Sequence, residues 1–387
     1  SPAKRWVAVN NAFYKILLRE TKRRRKTELL EIKQKTALLE IVTKQHKQGR
    51  VTDRSARYEK HLYARLHELK HPTKEPPPTQ QQSLRMTEKS DMSSKALFRP
   101  FKGKNSQQWV NWIKKNKWEE GKDPVWNGVA DKPEEIGEQF MDLYQMIFAE
   151  KEIEEKAYKP ILKQLGKKKI LKHSRQKLEK NITLEEVTKV MENLPTGKQP
   201  GPNRIPNAVY KYLSKRLAPM LAAVLNHALV TGKLPDHFLE GDISVLYKNK
   251  GDRDDPRNYR PITLLNTDYK IFTRILASRM RDVVHQFVAE CQKGFVPDVF
   301  IAEATALLKL VEAYINEDDE EDRKGVLLFL DMEKAFDRVS YEFTMKGLEA
   351  LGFGNKFRSW VGQMYDVDNA PKRRFHINGW YTEWFQI

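Results

Sequence analysis

Cysteine is almost absent from this sequence of 387 residues, in which Cys291 stands alone. A disulfide framework and a zinc site built from several cysteines are therefore both excluded. Long apolar runs are also lacking, because no stretch of about 18 apolar residues occurs, and the sequence predicts no membrane-spanning helix and no membrane partner. Together these absences predict an intracellular protein of the nucleus, the cytoplasm or both.

The motifs of two common enzyme classes are missing as well. The histidines show no His-Glu-x-x-His spacing, so the corresponding zinc hydrolases are excluded, and no glycine-rich phosphate loop ending in Gly-Lys-Ser/Thr occurs. The chain opens on Ser-Pro-Ala-Lys-Arg, without a methionine or an apolar signal segment. We therefore expect it to be an internal piece of a longer protein.

What the sequence does contain is an excess of positive charge. Lys and Arg number 70 against 52 Asp and Glu, which gives a formal net charge of +18 and a pI of about 9.6. Such a charge attracts polyanions, because cations that neutralise phosphates release condensed counterions. A ribosomal-type or histone-like protein would show the same excess, so charge alone does not identify the function.

Residues 1–71 are predicted to form a basic helical extension. Apolar residues recur at helical spacing within 4–70, which indicates one or two long helices that could pair as a coiled coil and mediate self-association. The extension contains the basic cluster Lys22, Arg23, Arg24, Arg25 and Lys26. This cluster is suited to binding nucleic-acid phosphates, and it is equally compatible with a nuclear localisation signal or a solvent-exposed helix face.

Residues 72–135 are predicted to be a linker with a basic segment rich in tryptophan. Its first part is rich in proline and glutamine, which is typical of low order. Four tryptophans follow among lysines: Trp109, Trp112, Trp118 and Trp126. Aromatic and basic interleaving suits stacking on single-stranded nucleic acid, although packing against a neighbouring domain explains the same pattern.

Residues 136–240 are predicted to be helical. Thr183 and Glu186 have the spacing of a capping box, which marks the start of a helix. Another helix is predicted over 208–230, and Gly232 and Pro235 give its stop signal.

Residues 241–387 mix strands and helices, and the fold class is predicted as α/β (α+β). Strands are expected near 243–247 and 262–265, and helices near 268–287 and 299–316. Two further helices should flank Gly352 and Gly354. Near the end, Asn378-Gly379 between two alternating segments is a strong hairpin signal.

The strongest local indication of chemistry is Asp331. The preceding segment 325–330 is continuously apolar, which predicts a strand buried within a sheet. A carboxylate at the end of such a strand is suited to a hard divalent cation. An aspartate that caps the next turn is the alternative reading of this position.

The surroundings of Asp331 resemble a known family. The segment FLDMEKAFDRV is similar to the first catalytic motif of reverse transcriptases from non-LTR (LINE-type) retrotransposons. Further segments that resemble this family occur in the family's order before that motif: GKQPGPNRIPNAVYKYL (197–213), LYKNKGD (246–252), NYRPITLLN (258–266) and QKGF (292–295).

The resemblance implies a right-hand polymerase fold, of which this chain would hold the fingers and part of the palm (241–387) behind the helical extension. It implies an RNA template, a DNA primer and deoxynucleoside triphosphates as partners. Asp331 and the backbone carbonyl of Met332 would bind catalytic Mg²⁺ (or Mn²⁺). Phe336 would be the steric gate against a ribose 2′-hydroxyl.

The remaining implied roles are cationic or polar. The expected nucleotide-binding residues, besides Phe336, are Lys248, Lys250, Arg260 and Lys334. The expected nucleic-acid-binding residues are Lys198, Arg204, Gln292, Lys22, Arg23, Arg24 and Arg25. Asp337 is expected to fix the turn into the next helix, and Ala335 is expected to stay small so that the nucleotide can approach.

The chain departs from the family in places. It has Asn203-Arg204 where the family usually has Asp-Gly. It also lacks the Tyr/Phe-Ala-Asp-Asp hairpin that supplies the other metal-binding carboxylates, so we expect the chain to be truncated and catalytically incomplete. Two rivals stay open: a degenerate remnant that only binds nucleic acid, and a coiled-coil adaptor that uses residues 4–70.

Overall fold

A computed structural model of the protein describes residues 1–47, 52–70, 109–149, 154–316, 326–332, 334–365 and 370–387. The chain divides into two compact units, one with residues 1–11 and 109–387 and the other with residues 12–108. A long helix, α1 (Pro2–Lys47), begins in the first unit and continues into the second.

The second unit contains the rest of α1 and α2 (Asp53–Lys70). Arg65 donates to Glu31 at 3.1 Å, and Thr43 donates to Glu59 at 3.0 Å. Because residues later in one helix meet residues earlier in the other, the two helices are antiparallel. The prediction of long helices within 4–70 is confirmed, whereas self-association through them stays a prediction.

The structure describes the tryptophan-rich segment of the first unit from residue 109 onward. It forms a two-stranded antiparallel sheet from β1 (Ile113–Lys114) and β2 (Val129–Ala130). Val110 and Ile113 are buried in the main core, and Trp118 packs against that core. Packing therefore accounts for Trp118, whereas Trp109, Trp112 and Trp126 are exposed.

Helices make up most of the chain between residues 133 and 231: α3 (Pro133–Phe148), α4 (Glu155–Leu165), α5 (Lys172–Leu178), α6 (Leu184–Glu192), α7 (Asn207–Tyr212) and α8 (Ser214–Thr231). The predicted capping box begins α6, where Thr183 and Glu186 each accept a backbone N–H of the other. The helix predicted over 208–230 is present in two parts, which are separated at Leu213. Gly232, with φ of 73°, ends α8 as predicted.

The main sheet has the strands β3 (Glu240–Tyr247), β4 (Tyr259–Leu265), β5 (Lys372–Ile377), β6 (Trp380–Tyr381) and β7 (Phe385–Gln386). Strand β3 is central, because it pairs antiparallel with β4 and parallel with β5. Strands β6 and β7 both pair antiparallel with β5. The predicted hairpin is confirmed at Asn378-Gly379, whose φ angles of 50° and 92° are those of a type I′ turn.

The two faces of this sheet differ. Helix α3 covers one face, where Phe140 and Tyr144 lie with their ring centroids 6.0 and 5.6 Å from that of Phe375. Strand side chains alternate between faces, so the strand registers define the set on the opposite side. We call that side the outer face; it includes Arg260, Ile262, Leu264, Leu246, Ser244, Asp242, Arg374, His376 and Tyr381.

The other helices of the first unit are α9 (Thr267–Arg281), α10 (Ala302–Asn316), α11 (Tyr341–Ala350) and α12 (Asn355–Gly362). Helix α10 lies close to its predicted range of 299–316, and α11 and α12 flank Gly352 and Gly354 as predicted. Helix α9 begins as predicted but ends at Arg281, before the predicted 287, and a 3-10 turn follows at Val284–Gln286. No helix in the described ranges is long and apolar enough to cross a bilayer.

One structural prediction was wrong. The segment predicted as a buried strand before Asp331 forms no strand over its described residues 326–330, and its side chains are exposed, from 51% at Leu327 to 94% at Val326. The physical reason is that an apolar run becomes a buried strand only if neighbouring strands hydrogen-bond to it. Strands β3 to β7 pair with one another and leave this segment without a partner among the described residues.

Candidate functional site

The predicted catalytic segment lies outside the main sheet. Asp331 and Met332 are exposed on irregular backbone. Farther along, the Lys334 ammonium lies 5.6 Å from the ring centroid of Tyr144, which belongs to α3. The segment therefore contacts the side of the sheet that α3 covers.

Phe336 connects two of the motifs that carried the family resemblance. Its side chain is 85% exposed, and its ring stands edge-on to that of Phe295 with centroids 6.3 Å apart. Phe295 is the last residue of the segment 292–295. The structure thus brings these two motifs into contact, although neither ring is covered by other side chains.

Asp337 lies next to this exposed segment in a half-buried position. Burial raises the pKa of its carboxyl group, and the charge of Lys334 partly offsets this effect. The backbone N–H of Asp337 donates to the carbonyl of Lys334, while Ser340 caps the following helix by accepting the N–H of Phe343. The turn into α11 is therefore fixed by Ser340, and the aspartate side chain is not its cap.

Phe336 and Asp337 line a cavity of about 590 Å³. Its wall also includes Tyr269, Arg373 and the end of α3. Burial raises the pKa of the Tyr269 hydroxyl to about 12, so this wall residue is neutral at physiological pH. Arg373 is buried, and its guanidinium donates to the carbonyl of Leu239.

The predicted nucleotide-binding cations other than Lys334 lie elsewhere. Lys248 donates to the carbonyl of Arg257 at 2.7 Å, and Lys250 is exposed in the turn between β3 and β4. Arg260 is exposed on the outer face, opposite Leu246. Within the described ranges no hydrogen bond or ion pair joins Arg260 to Asp331, so the structure does not bring these predicted site residues together.

The predicted nucleic-acid-binding residues are all at the surface. Lys198 and Gln292 are exposed, and Arg204 donates to the Tyr381 hydroxyl at 2.8 Å. Lys22, Arg23, Arg24 and Arg25 are exposed on α1 in the second unit. Arg204 adopts φ of 59°, a left-handed conformation that glycine tolerates best. The backbone here would therefore also accommodate the Asp-Gly that the resemblance implies.

Sequence reasoning missed a buried polar network around Asp268. This carboxylate is fully buried near the start of α9, and its Oδ2 accepts from Trp6 Nε1 at 3.1 Å and from Asn10 Nδ2 at 2.9 Å. His237 Nε2 lies 2.9 Å from the same oxygen. The sequence offered one sign of this network, an ionisable aspartate at position 268 within the segment 258–270. It could not indicate the partners of Asp268, because they are far away in the sequence.

The same network joins the two upstream motifs. Asn266, the residue before α9, accepts the backbone N–H of Asn203 at 3.0 Å. Thr267 donates to the side-chain oxygen of Asn207 at 2.9 Å. Gly201 is so close that a Cβ atom there would lie 2.4 Å from the backbone nitrogen of Asn266. The motif at 197–213 thus supports the start of α9.

The residues that the structure describes do not supply enough ligands for a divalent cation. No group of three or more His, Cys, Asp or Glu side chains is arranged there to hold a metal ion. Asp331 is exposed and could enter a coordination sphere together with the Met332 carbonyl, but Mg²⁺ takes about six oxygen ligands. These two residues therefore fit a part of a magnesium site.

Comparisons with known proteins address the identity of this domain directly. Residues 247–382 match the family described as reverse transcriptase (RNA-dependent DNA polymerase). This range includes β4, the contact between Phe295 and Phe336, Asp331, and the hairpin at Asn378-Gly379. The chain therefore carries a reverse transcriptase domain.

Three relatives indicate which kind of reverse transcriptase this domain resembles. The chain is 29% identical over 238 residues to the Transposon TX1 uncharacterized 149 kDa protein of Xenopus laevis, covering 61% of this chain and 18% of the relative. It is 30% identical over 176 residues (44% of this chain, 19% of the relative) to a probable RNA-directed DNA polymerase from transposon BS of Drosophila melanogaster. A Pol polyprotein from the type-1 retrotransposable element R2 of Popillia japonica is 31% identical over 133 residues, 32% of this chain and 18% of the relative.

Residues 247–382 thus form a domain of the reverse transcriptase family, of the kind found in non-LTR (LINE-type) retrotransposons, as the sequence motifs indicated. The chain spans about a fifth of the length of the curated relatives that it matches.

Proposed function

We propose that this chain supplies the fingers and part of the palm of an RNA-directed DNA polymerase that extends a DNA primer with deoxynucleotides. The match of residues 247–382 to the reverse transcriptase family carries this proposal. In the reaction, the primer 3′-oxygen attacks the α-phosphate of the incoming nucleotide and pyrophosphate leaves. The protein contributes by positioning both reactants and by balancing the charge of the transition state.

The predicted residues take distinct roles in this reaction. Arg260, Lys248, Lys250 and Lys334 neutralise the triphosphate, for which the planar donors of arginine are well suited. Phe336 excludes the ribose 2′-hydroxyl. Asp331 and the Met332 carbonyl contribute ligands to bound Mg²⁺ (or Mn²⁺), which supplies charge stabilisation when present. Lys198, Arg204, Gln292 and the cluster Lys22 to Arg25 contact template or primer phosphates.

We propose that residues 326–337 change position so that Arg260 and Asp331 contact the same nucleotide. The exposure of this segment and its lack of strand pairing in the described structure support such a change. We propose that the apolar run before Asp331 becomes a palm strand when further palm strands pair with it. Burial of its exposed side chains then drives that step.

The sequence of 387 residues contains no Ala-Asp-Asp motif. Because two-metal phosphoryl transfer needs several carboxylates around the ions, we propose that residues 1–387 alone do not polymerise. The test of the function therefore uses the natural protein that contains this chain.

The sugar selectivity of that protein tests the function through Phe336. Replacement of Phe336 by Val should leave RNA-templated insertion of deoxynucleotides largely intact and increase insertion of ribonucleotides by about tenfold or more, because the steric barrier to the 2′-hydroxyl is removed. Single-nucleotide primer extension with matched deoxy- and ribonucleotides measures both rates. Tyr212→Val, at an exposed aromatic residue of α7, is the control. Unchanged sugar selectivity in Phe336→Val would contradict the assigned role.

A further inference from the structure

The outer face of the main sheet carries a stacked row of flat side chains. The His376 ring lies parallel to that of Tyr381, with centroids 4.3 Å apart and planes inclined by 11°. The Arg374 guanidinium lies 4.3 Å from the ring centroid of Tyr381 and also 4.3 Å from that of Trp384. We call these four residues the stacking row.

Burial in the core does not account for this row. The core lies on the face that α3 covers, whereas the row stands on the outer face and is partly accessible. Trp384 is 38% exposed, and the side chain of Arg374 is 23% exposed. Flat side chains held parallel at a partly open surface offer faces on which another flat group can stack.

Asp242 fixes the orientation of the row, and Arg204 adds positive charge beside it. Arg374 donates to the buried carboxylate of Asp242 at 2.8 Å, which holds the plane of the guanidinium. Arg204 donates to the Tyr381 hydroxyl and is itself exposed. The single charge of Asp242 balances one arginine, so the charge of the second is available to a ligand.

The histidine of the row is suited to stacking as a neutral ring. Burial lowers the pKa of His376; Asp242 acts in the opposite direction, and the charges of Arg204 and Arg374 lower the pKa further. The ring is therefore uncharged near neutral pH. An uncharged imidazole loses little hydration when a nucleobase covers it.

Arg260, a predicted nucleotide contact, lies on the same outer face as the stacking row. The register of β3 places Asp242 opposite Arg374 and Leu246 opposite Arg260. Because Asp242 and Leu246 are separated by an even number of positions, Arg260 and the row share one face of the sheet. A strand of nucleic acid lying on that face would meet aromatic rings at one end and an exposed arginine at the other.

We propose that the stacking row, with Arg204 and Arg260, is a binding site for single-stranded nucleic acid. A base stacks on the row, and the two arginines contact backbone phosphates, Arg260 only while no incoming triphosphate occupies it. Since every base has a flat face, such a site tolerates any sequence. The identification of the bound strand as the template rests on the proposed function, whereas the binding itself does not.

Binding of labelled single strands by the 387-residue chain tests the site. Fluorescein-labelled oligouridine and oligodeoxythymidine of equal length are titrated in EDTA over a range of salt concentrations, and anisotropy gives the affinities. His376→Ala and Trp384→Ala should each weaken binding by about tenfold, which is the effect of losing one base–aromatic stack. The loss should be equal for both oligonucleotides, because a ring face does not read the sugar.

The controls separate stacking from folding and from charge. Tyr212→Ala removes an exposed aromatic ring from α7, outside the row, and should bind like the wild type. His376→Phe keeps a flat ring and should retain most of the affinity. The salt dependence of binding in His376→Ala should match that of the wild type, since no phosphate contact is removed.

Several outcomes would overturn the proposal. Affinities of His376→Ala and Trp384→Ala within twofold of the wild type would show that no base stacks there. Equal weakening in His376→Phe and His376→Ala, or a loss that follows a lowered melting temperature, would assign the row a structural role. Because the assay requires neither nucleotide addition nor a metal ion, its failure would not be confused with a failure of the proposed polymerase function.

Discussion

The indole nitrogen of Trp6 lies 3.1 Å from a carboxylate oxygen of Asp268, and this hydrogen bond joins residues 262 positions apart. Both side chains are fully buried. The first turns of α1 therefore belong to the core of the first unit, and the network around Asp268 is part of what holds that unit together.

Removal of this carboxylate should destabilise the first unit strongly. Asp268→Ala leaves the Trp6 indole N–H without an acceptor, removes one partner each from Asn10 and His237, and creates a cavity, so we expect the free energy of unfolding to fall by about 3–5 kcal/mol. Urea unfolding followed by tryptophan fluorescence measures the change. Asp123→Ala, at an exposed aspartate, should change stability by less than about 0.5 kcal/mol. Equal stability of Asp268→Ala and wild type would show that the network contributes nothing.

Two glycines should respond in opposite directions to the same substitution. Gly201→Ala places a Cβ atom 2.4 Å from the backbone of Asn266, so the loop must move and stability should fall by at least about 2 kcal/mol. Gly347 lies inside α11, where the nearest atom to a new Cβ is 3.8 Å away. Gly347→Ala should therefore stabilise the protein by about 0.5–1 kcal/mol through helix propensity. Melting temperatures of both variants test this pair, and a shift of the same sign in both would refute it.

Arg279 should not tolerate replacement by lysine. Its guanidinium makes a bidentate ion pair with Glu186, donates to three backbone carbonyls and lies 5.2 Å from the ring centroid of Trp360. Lysine keeps the charge but cannot make these contacts together, so Arg279→Lys should cost about 2–3 kcal/mol. Arg281→Lys, at an exposed arginine two residues later, is the matched control and should be nearly neutral. Chemical unfolding of the two variants gives the comparison.

Asp337 should make stability depend on pH. Burial raises the pKa of this carboxyl group in the folded state, so folding favours its protonated form. Its contribution to stability is present below the unfolded pKa of about 3.9 and is lost as the pH rises through the folded value. Asp337→Asn should therefore raise the melting temperature near neutral pH and have little effect near about pH 3. Melting curves across this range measure the effect, and a lower melting temperature at neutral pH would mean that the charged form is favoured.

Signals that operate over a few residues were sufficient for much of the fold. The Thr183-Glu186 capping box, the Asn378-Gly379 turn and the apolar spacing of α9 each depend on neighbours within about one or two turns of chain. The structure has these elements where the sequence predicted them. The family resemblance likewise depended on short continuous motifs, and the match of residues 247–382 to the reverse transcriptase family confirms it.

Features that depend on distant partners could not be predicted in this way. The run before Asp331 has the composition of a buried strand, but strand formation depends on neighbouring strands that its own sequence does not specify. The contact between Trp6 and Asp268 could not be predicted either, because the residues around each of them do not indicate a partner 262 positions away. The stacking row required the register of β5 with β6, which brings His376 and Tyr381 together.

Polymerisation depends above all on Asp331, which we propose binds the catalytic metal. The most direct measurement is RNA-templated primer extension by the natural protein that contains this chain, with Asp331→Asn compared with Asp123→Asn. We expect Asp331→Asn to lower the extension rate by at least about a thousandfold while RNA affinity and its salt dependence stay unchanged. Extension by Asp331→Asn at a rate close to that of the wild type would contradict the assignment.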